Sequence, residues 1–271
     1  MKLLDFSGSR PDPRKVKAAG YDGVIRYLFA PSPGGKGIDK AEATAIRAAG
    51  LGLVVIYEWY AGRALEGAVA GVTDAKVALA LARSIGFPDT RPIYFAVDVP
   101  ATAGQQPAID AYLRGAASVI GAARVGVYGS YYVVERCYAS GSARWYWQTR
   151  GWSNGKVSAH THLYQYLNSQ QVAGASVDLN ESRQFDFGAW EPTLKPAIIP
   201  PKPIAKPAIH IMTPAEMLAW AKNAVKTPVV VKPTTPVVEV KPAVATPVTK
   251  PTIHIMTPAE MLAWMKNLVK K

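Results

Sequence analysis

Through the first 190 positions, short apolar runs alternate with helix-length stretches that begin at capping residues and stop at glycine. Runs at 3–6, 23–28, 51–58, 91–98, 124–129, 144–148, 162–166 and 177–180 have the length and residue types of strands. Between them, helical stretches are predicted over 12–19, 39–49, 68–85, 107–121 and 131–139. Asp39 stands where an N-cap belongs, and Gly20, Gly50, Gly86 and Gly121 stand at the stops. Eight strands with helical crossovers predict an irregular (β/α)8 barrel of the TIM type. The crossovers after strands six and seven are too short for full helices.

The pattern changes after Trp190. Prolines at 192, 196, 200, 201, 203 and 207 predict an extended linker over 191–208, and a second linker follows over 227–252. After each linker comes nearly the same sequence, at 209–226 and at 253–271. Thr213 and Thr257 read as N-caps, Pro214 and Pro258 as first helical residues, and Glu216 and Glu260 as the far side of capping boxes. Each repeat predicts a helix of three to four turns, marginal alone in water, whose Met/Leu/Val stripe needs a partner. Self-association and docking on a wall or membrane component are both open.

Charge follows the same division. Up to Trp190 there are 20 Lys+Arg against 15 Asp+Glu; the shorter remainder has 11 against 4. A basic tail suits an anionic wall polymer or a membrane surface. No basic run interleaved with aromatics resembles a nucleic-acid groove, so nucleic acid is not an expected partner. The single cysteine, Cys137, excludes an intramolecular disulfide. Neither a signal-peptide pattern at the start nor a membrane-spanning apolar run is present, which predicts synthesis without export.

Four carboxylates fall at or beside predicted strand ends: Asp5, Glu58, Asp98 and Asp178. In a strand–helix barrel the C-terminal strand ends share one face and carry the chemistry. Acidic residues gathered there from distant strands are what acid/base cleavage of a glycosidic bond requires. Asp98 leaves a fully apolar strand, and the loss of water around its carboxyl favours a general acid. Trp59, Tyr60, Tyr128 and Trp147 are candidate sugar-contacting rings, within a wider aromatic set that includes Tyr131, Tyr132 and Trp152. Arg26 and Gln165 are expected to point into the barrel mouth. Cys137 with His160 or His162 is a weak peptidase signal, and two histidines are too few for zinc. No cofactor or metal is expected.

The motifs Asp5-Phe-Ser, Tyr94-Phe-Ala-Val-Asp98, Tyr128-Gly-Ser-Tyr131, Trp145-Tyr-Trp-Gln148, Tyr164-Gln-Tyr166 and Val177-Asp-Leu-Asn180 resemble, in order and spacing, the glycoside-hydrolase-like domain related to family 25 lysozymes. That domain occurs in actinobacterial wall proteins and phage endolysins. The resemblance implies a lysozyme-like barrel acting on the muramic acid to glucosamine linkage of peptidoglycan, with Asp98 as the acid and Asp5 and Asp178 as supports. It also implies a phage-type endolysin held in the host cytoplasm until lysis. One departure stands out. Where family 25 lysozymes carry Asp-x-Glu, this chain reads Ala96-Val97-Asp98, so Glu58 is the candidate to replace the missing group. The alternative is a peptidoglycan-binding or virion structural protein on an impaired barrel.

Overall fold

A computed structural model describes residues 1–30 and 35–190. Both linkers and both C-terminal repeats lie outside the described residues. Eight strands close into one barrel in sequence order: β1 (Lys2–Asp5), β2 (Gly23–Tyr27), β3 (Gly52–Tyr57), β4 (Ile93–Ala96), β5 (Val125–Gly129), β6 (Trp145–Thr149), β7 (Leu163–Val172) and β8 (Ala175–Ser182). Helices α1 (Pro13–Ala18), α2 (Lys40–Ala48), α3 (Ala68–Ser84), α4 (Gln106–Ile120) and α5 (Tyr131–Ser140) follow the first five strands. Among the described residues no helix joins β6 to β7, as the short spacing predicts.

The barrel departs from eightfold regularity at its last strand. β1 through β7 pair in parallel, but β8 runs antiparallel to both β7 and β1. The cause is local: Ala173 and Gly174, at φ 52° and 82°, form a two-residue hairpin turn that sends the chain straight back. Asp178 therefore does not end its strand. It lies in the first half of β8, and the reversed direction brings it opposite Asp5 on the functional face.

The interior is filled by inward positions of successive strands: Leu3, Ile25, Val54, Ile56, Tyr94, Ala96, Tyr128, Trp147 and Leu163. Phe187 and Ala189, beyond β8, join this cluster, and the Tyr94 hydroxyl donates to the Phe187 carbonyl at 2.9 Å. The chain then adds Trp190 beside Leu53, with the Arg47 guanidinium 4.0 Å over its ring. On the outside, α3 and α4 touch at Gly71 and Gly115. A Cβ at Gly71 would overlap the Tyr112 carbonyl, and one at Gly115 the Ala68 carbonyl. Asp39, Asp12 and Ser130 cap their helices by accepting backbone N–H bonds, as their residue types predict.

Candidate active site

Asp5 and Asp178 are register partners on β1 and β8, and their side chains share one donor. Gln165 Nε2 donates to Asp5 Oδ2 at 2.9 Å and to Asp178 Oδ2 at 3.2 Å. The carbonyl of the same amide accepts from the hydroxyls of Tyr128 and Thr149, each at 2.9 Å. Gln165 is therefore fully engaged, with three of its four partners buried beneath the mouth. Asn180, also buried, donates to Asp5 Oδ2 at 2.7 Å and accepts from Trp147 Nε1 at 2.9 Å. The result is a polar floor in which Gln165 ties four side chains together and Asn180 links Asp5 to Trp147.

Burial dominates the chemistry of Asp5. Almost no surface of this residue reaches solvent, and loss of water, reinforced by the Asp178 charge, raises its pKa to about 7. The amides of Asn180 and Gln165 and the more distant Arg26 charge oppose that rise without cancelling it. Asp178 has different surroundings. It accepts from Asn168 Nδ2 at 3.0 Å and from the Ser169 backbone N–H at 2.8 Å, besides Gln165. Ser169 takes φ 57° to make its contact, at a bulge in β7.

The second pair belongs to the loops after β3 and β4. Asp98 is pinned by its own backbone N–H, which donates to the Ala61 carbonyl of the β3 loop at 3.2 Å. Its carboxyl pKa is raised to about 6, first by burial and then by the nearby Glu58 charge, with Lys36 acting in the opposite sense. Glu58 is ion-paired with Lys36 from the loop after β2. The Lys36 ammonium also lies 4.6 Å from the Tyr27 ring centroid. Arg10 fixes that loop by donating to the Gly37 carbonyl at 2.7 Å and to Asp39 at 2.8 Å. Tyr27 faces all of these groups: burial, then Asp5, Glu58, Tyr128 and Asp98, drive its pKa well above the ordinary tyrosine value.

The four predicted carboxylates thus converge on one face, in two pairs. Of the six predicted sugar contacts, two are corrected. Arg26 points outward: it is fully buried between barrel and α2, donating to Glu42 at 2.6 Å and to the Phe6 carbonyl, with its guanidinium 4.2 Å over the Phe6 ring. Its neighbours Ile25 and Tyr27 occupy the inward phase of β2. Trp147 is the floor of the site, 1% exposed and packed edge-on against Tyr94 and Tyr128, so no sugar reaches its face. Gln165 and Tyr128 reach the site mainly through the floor network. Trp59, packed 5.5 Å from Phe29, and the exposed Tyr60 remain on the rim.

Sequence reading missed Lys36, Asn180 and Thr149. Asn180 lies two residues from Asp178, the spacing that puts both on one strand face, and that signal was available. The weak rivals fall away. Cys137 is buried, accepts from Gln106 Nε2, and has its thiol pushed up to about 11 by burial. His160 stacks on Tyr138 at 3.4 Å, while His162 Nδ1 accepts the Tyr146 N–H. Among the described residues no helix is long and apolar enough to cross a membrane.

Comparison with known proteins agrees with the barrel fold. Residues 14–182 match the Rv2525c-like, glycoside hydrolase-like domain family. The Rv2525c protein of Mycobacterium tuberculosis, provisionally named a peptidoglycan hydrolase, is 33% identical over 200 residues, covering 69% of this chain and 83% of its own. Its crystal structure with L-tartrate, at 32% identity and TM-score 0.67, covers 70% of this chain and 98% of that one. The modular autolysin LytC from Streptococcus pneumoniae, solved with a synthetic peptidoglycan ligand, shares the fold at 17% identity and TM-score 0.50, over 66% of this chain and 46% of its own. The Mycobacterium protein is Tat-secreted, which overturns the expectation of an enzyme kept in a host cytoplasm until lysis. By the match of its sequence from 14 to 182, the chain belongs to the Rv2525c-like family of glycoside hydrolase-like domains.

Proposed function

We propose that the barrel hydrolyses the glycan strand of bacterial peptidoglycan, at the muramic acid to glucosamine linkage, with Asp98 as general acid. One observation carries this reading: a half-buried carboxyl in the loop just after β4, whose pKa of about 6 keeps a proton available in mildly acidic surroundings, faces a second carboxylate pair across the same mouth. Asp98 protonates the leaving oxygen. Asp178, held by three hydrogen bonds, offers negative charge to the developing oxocarbenium ion. Asp5, neutral below about pH 7, supports Asp178 without adding a like charge. Glu58 tunes the acid. The peptidoglycan-hydrolase name of the Mycobacterium relative and its secretion support action at the wall. The narrower phage-endolysin setting finds no support among these relatives.

Reducing-end release from purified peptidoglycan tests the reading. Asp98→Asn is expected to lower the rate by about 10²–10⁴-fold, the usual worth of a positioned acid. Absence of release by the unmodified protein would sink it. A second reading has its own observation: the inward β4 position two residues before Asp98 is Ala96, packed into the apolar cluster, where family 25 lysozymes place a carboxylate. On that reading the barrel binds glycan without cutting it, and retention on peptidoglycan with no released ends would favour it. The C-terminal repeats are proposed to hold the protein at the wall or membrane, or to pair with one another. Comparing the chain cut at Trp190 with the full chain, by sedimentation and wall retention, separates these roles.

A further inference from the structure

Beyond the carboxylates, the loop from β6 to β7 holds a strained backbone at its exposed tip. Trp152 sits at φ 55°, a left-handed conformation that a bulky side chain rarely adopts, and it is 43% exposed. Asn154 and Gly155 follow at φ 50° and 73°. The buried hydroxyl of Ser153 locks this shape: it donates to the Thr149 carbonyl at 2.6 Å and accepts from the Tyr131 backbone N–H at 2.9 Å. Gln148 adds a second clamp, donating to the Lys156 carbonyl and accepting from the Ser158 N–H, each at 2.8 Å. Strain held in place by such clamps gathers at ligand sites.

What the loop presents is aromatic and cationic. The Lys156 ammonium stands 5.4 Å from the ring centroids of both Tyr131 and Tyr132. Those rings pack edge-to-face at 5.3 Å, and Asn154 Nδ2 donates to the Tyr132 hydroxyl at 3.2 Å. Among the described residues Lys156 forms no ion pair, in contrast to Lys36 in the mouth. The patch also has a fixed relation to the site. Tyr131 and Trp152 each lie three residues beyond Tyr128 and Thr149, the two hydroxyls that hold Gln165.

We propose that Trp152, Tyr131, Tyr132 and Lys156 form a subsite on the barrel rim that takes a stem-bearing muramyl unit of the glycan strand. The rings cover apolar sugar and acyl surface, and the unpaired ammonium meets a carboxylate of the stem peptide. This deepens the glycan-cleft reading and rests on it. A carboxylate is the fitting charge because the ammonium is already oriented by two electron-rich faces and, among the described residues, forms no ion pair.

The test measures retention on purified sacculi in the Asp98→Asn background, so that cutting does not blur binding; reducing-end release by the unmodified protein is read separately. Lys156→Met is expected to weaken retention about five- to tenfold on stem-bearing strands and leave binding to uncharged chitin oligomers unchanged. Trp152→Gly, which fits the left-handed backbone, is expected to weaken both about tenfold without lowering the melting temperature. Parent-like retention by both variants overturns the subsite even if cleavage is observed. A Lys156→Met loss that persists in full on amidase-stripped strands, which expose the lactyl carboxylate instead, overturns the stem assignment. A protein that binds in this pattern but releases no ends refutes cleavage and leaves the subsite standing.

Discussion

Asp5→Asn tests whether burial of a charge at the barrel floor is what destabilises the domain as the pH rises. Asp5 has an ordinary value of 3.8 and a folded value of about 7, raised by burial and by Asp178. Between those two values the folded state keeps a proton that the unfolded chain has released. The stability attached to Asp5 is thus fully present below about pH 4 and is lost as pH rises through about 7. At 1.36 kcal/mol per unit, the gap corresponds to about 4 kcal/mol of stability lost across that window. Asparagine keeps an acceptor for Asn180 and Gln165 at the Oδ2 position and cannot ionise. The stability of the variant relative to the parent should therefore climb by about 4 kcal/mol from pH 4 to pH 8.

Urea unfolding at intervals of half a pH unit reads this directly, because titrating groups remote from Asp5 cancel in the difference, leaving Asp5 and the Asp178 coupled to it. With an m-value of about 2 kcal/mol/M, the midpoint of the variant should gain roughly 2 M on the parent over the range. A difference that stays flat with pH would refute the reasoning. It would mean that Asp5 ionises in the folded protein as it does in the unfolded one, and that its burial is relieved by a route the floor network does not offer.

The acid limb of the chemistry gives a second prediction. If Asp98 must carry a proton, kcat/KM on peptidoglycan should fall above about pH 6; Lys36→Met should move that fall upward and Glu58→Gln downward, since the two charges act on Asp98 in opposite senses. Parallel profiles in all three proteins would remove both residues from the tuning of the acid. Gln165→Leu strips the acceptor from the Tyr128 and Thr149 hydroxyls and a donor from each aspartate, and should cost about 2–4 kcal/mol in denaturant unfolding. Gly71→Ala drives a methyl into the Tyr112 carbonyl and should cost about 1–3 kcal/mol, where an exposed helical glycine would gain stability from the same change.

Much of this was legible because strand runs and glycine stops alternate so regularly. Asp5, Glu58 and Asp98 were found by position alone, since parallel strands that all end on one face turn a sequence pattern into proximity. Asp178 was found for a different reason from the one that places it. The expected strand, 177–180, put it beside a strand end, whereas the real one spans Ala175–Ser182 and runs backward from the Ala173–Gly174 turn. That turn was hard to see because the second half of β7, Leu-Asn-Ser-Gln-Gln-Val, is polar and exposed and carries no strand alternation. Arg26 failed through phase: Ile25 and Tyr27 face the interior, but Val24 on the outer side is equally apolar, so alternation cannot say which face is inner when both are buried. Trp147 failed because composition does not separate a ring that forms a floor from one that offers a face.

These corrections change how the missing carboxylate at Ala96 is to be read. With Asp5 protonated near pH 6 and Glu58 ion-paired with Lys36, Asp178 is the carboxylate opposite Asp98 that forms no ion pair among the described residues. It receives hydrogen bonds from β7 instead, including the left-handed Ser169 N–H. A hydrolytic site needs a proton for the leaving oxygen, a negative charge to stabilise the sugar cation, and a carboxylate to take the proton of the water that adds to it, roles that two carboxyl groups can share. On the proposed mechanism Asp98 and Asp178 meet that need across the mouth, Asp5 supports the second as a neutral neighbour, and Glu58 acts on the proton of the first. The loss of a carboxylate from β4 therefore removes none of these roles by itself. The arrangement that matters is the hairpin that reverses β8 and carries Asp178 into the site.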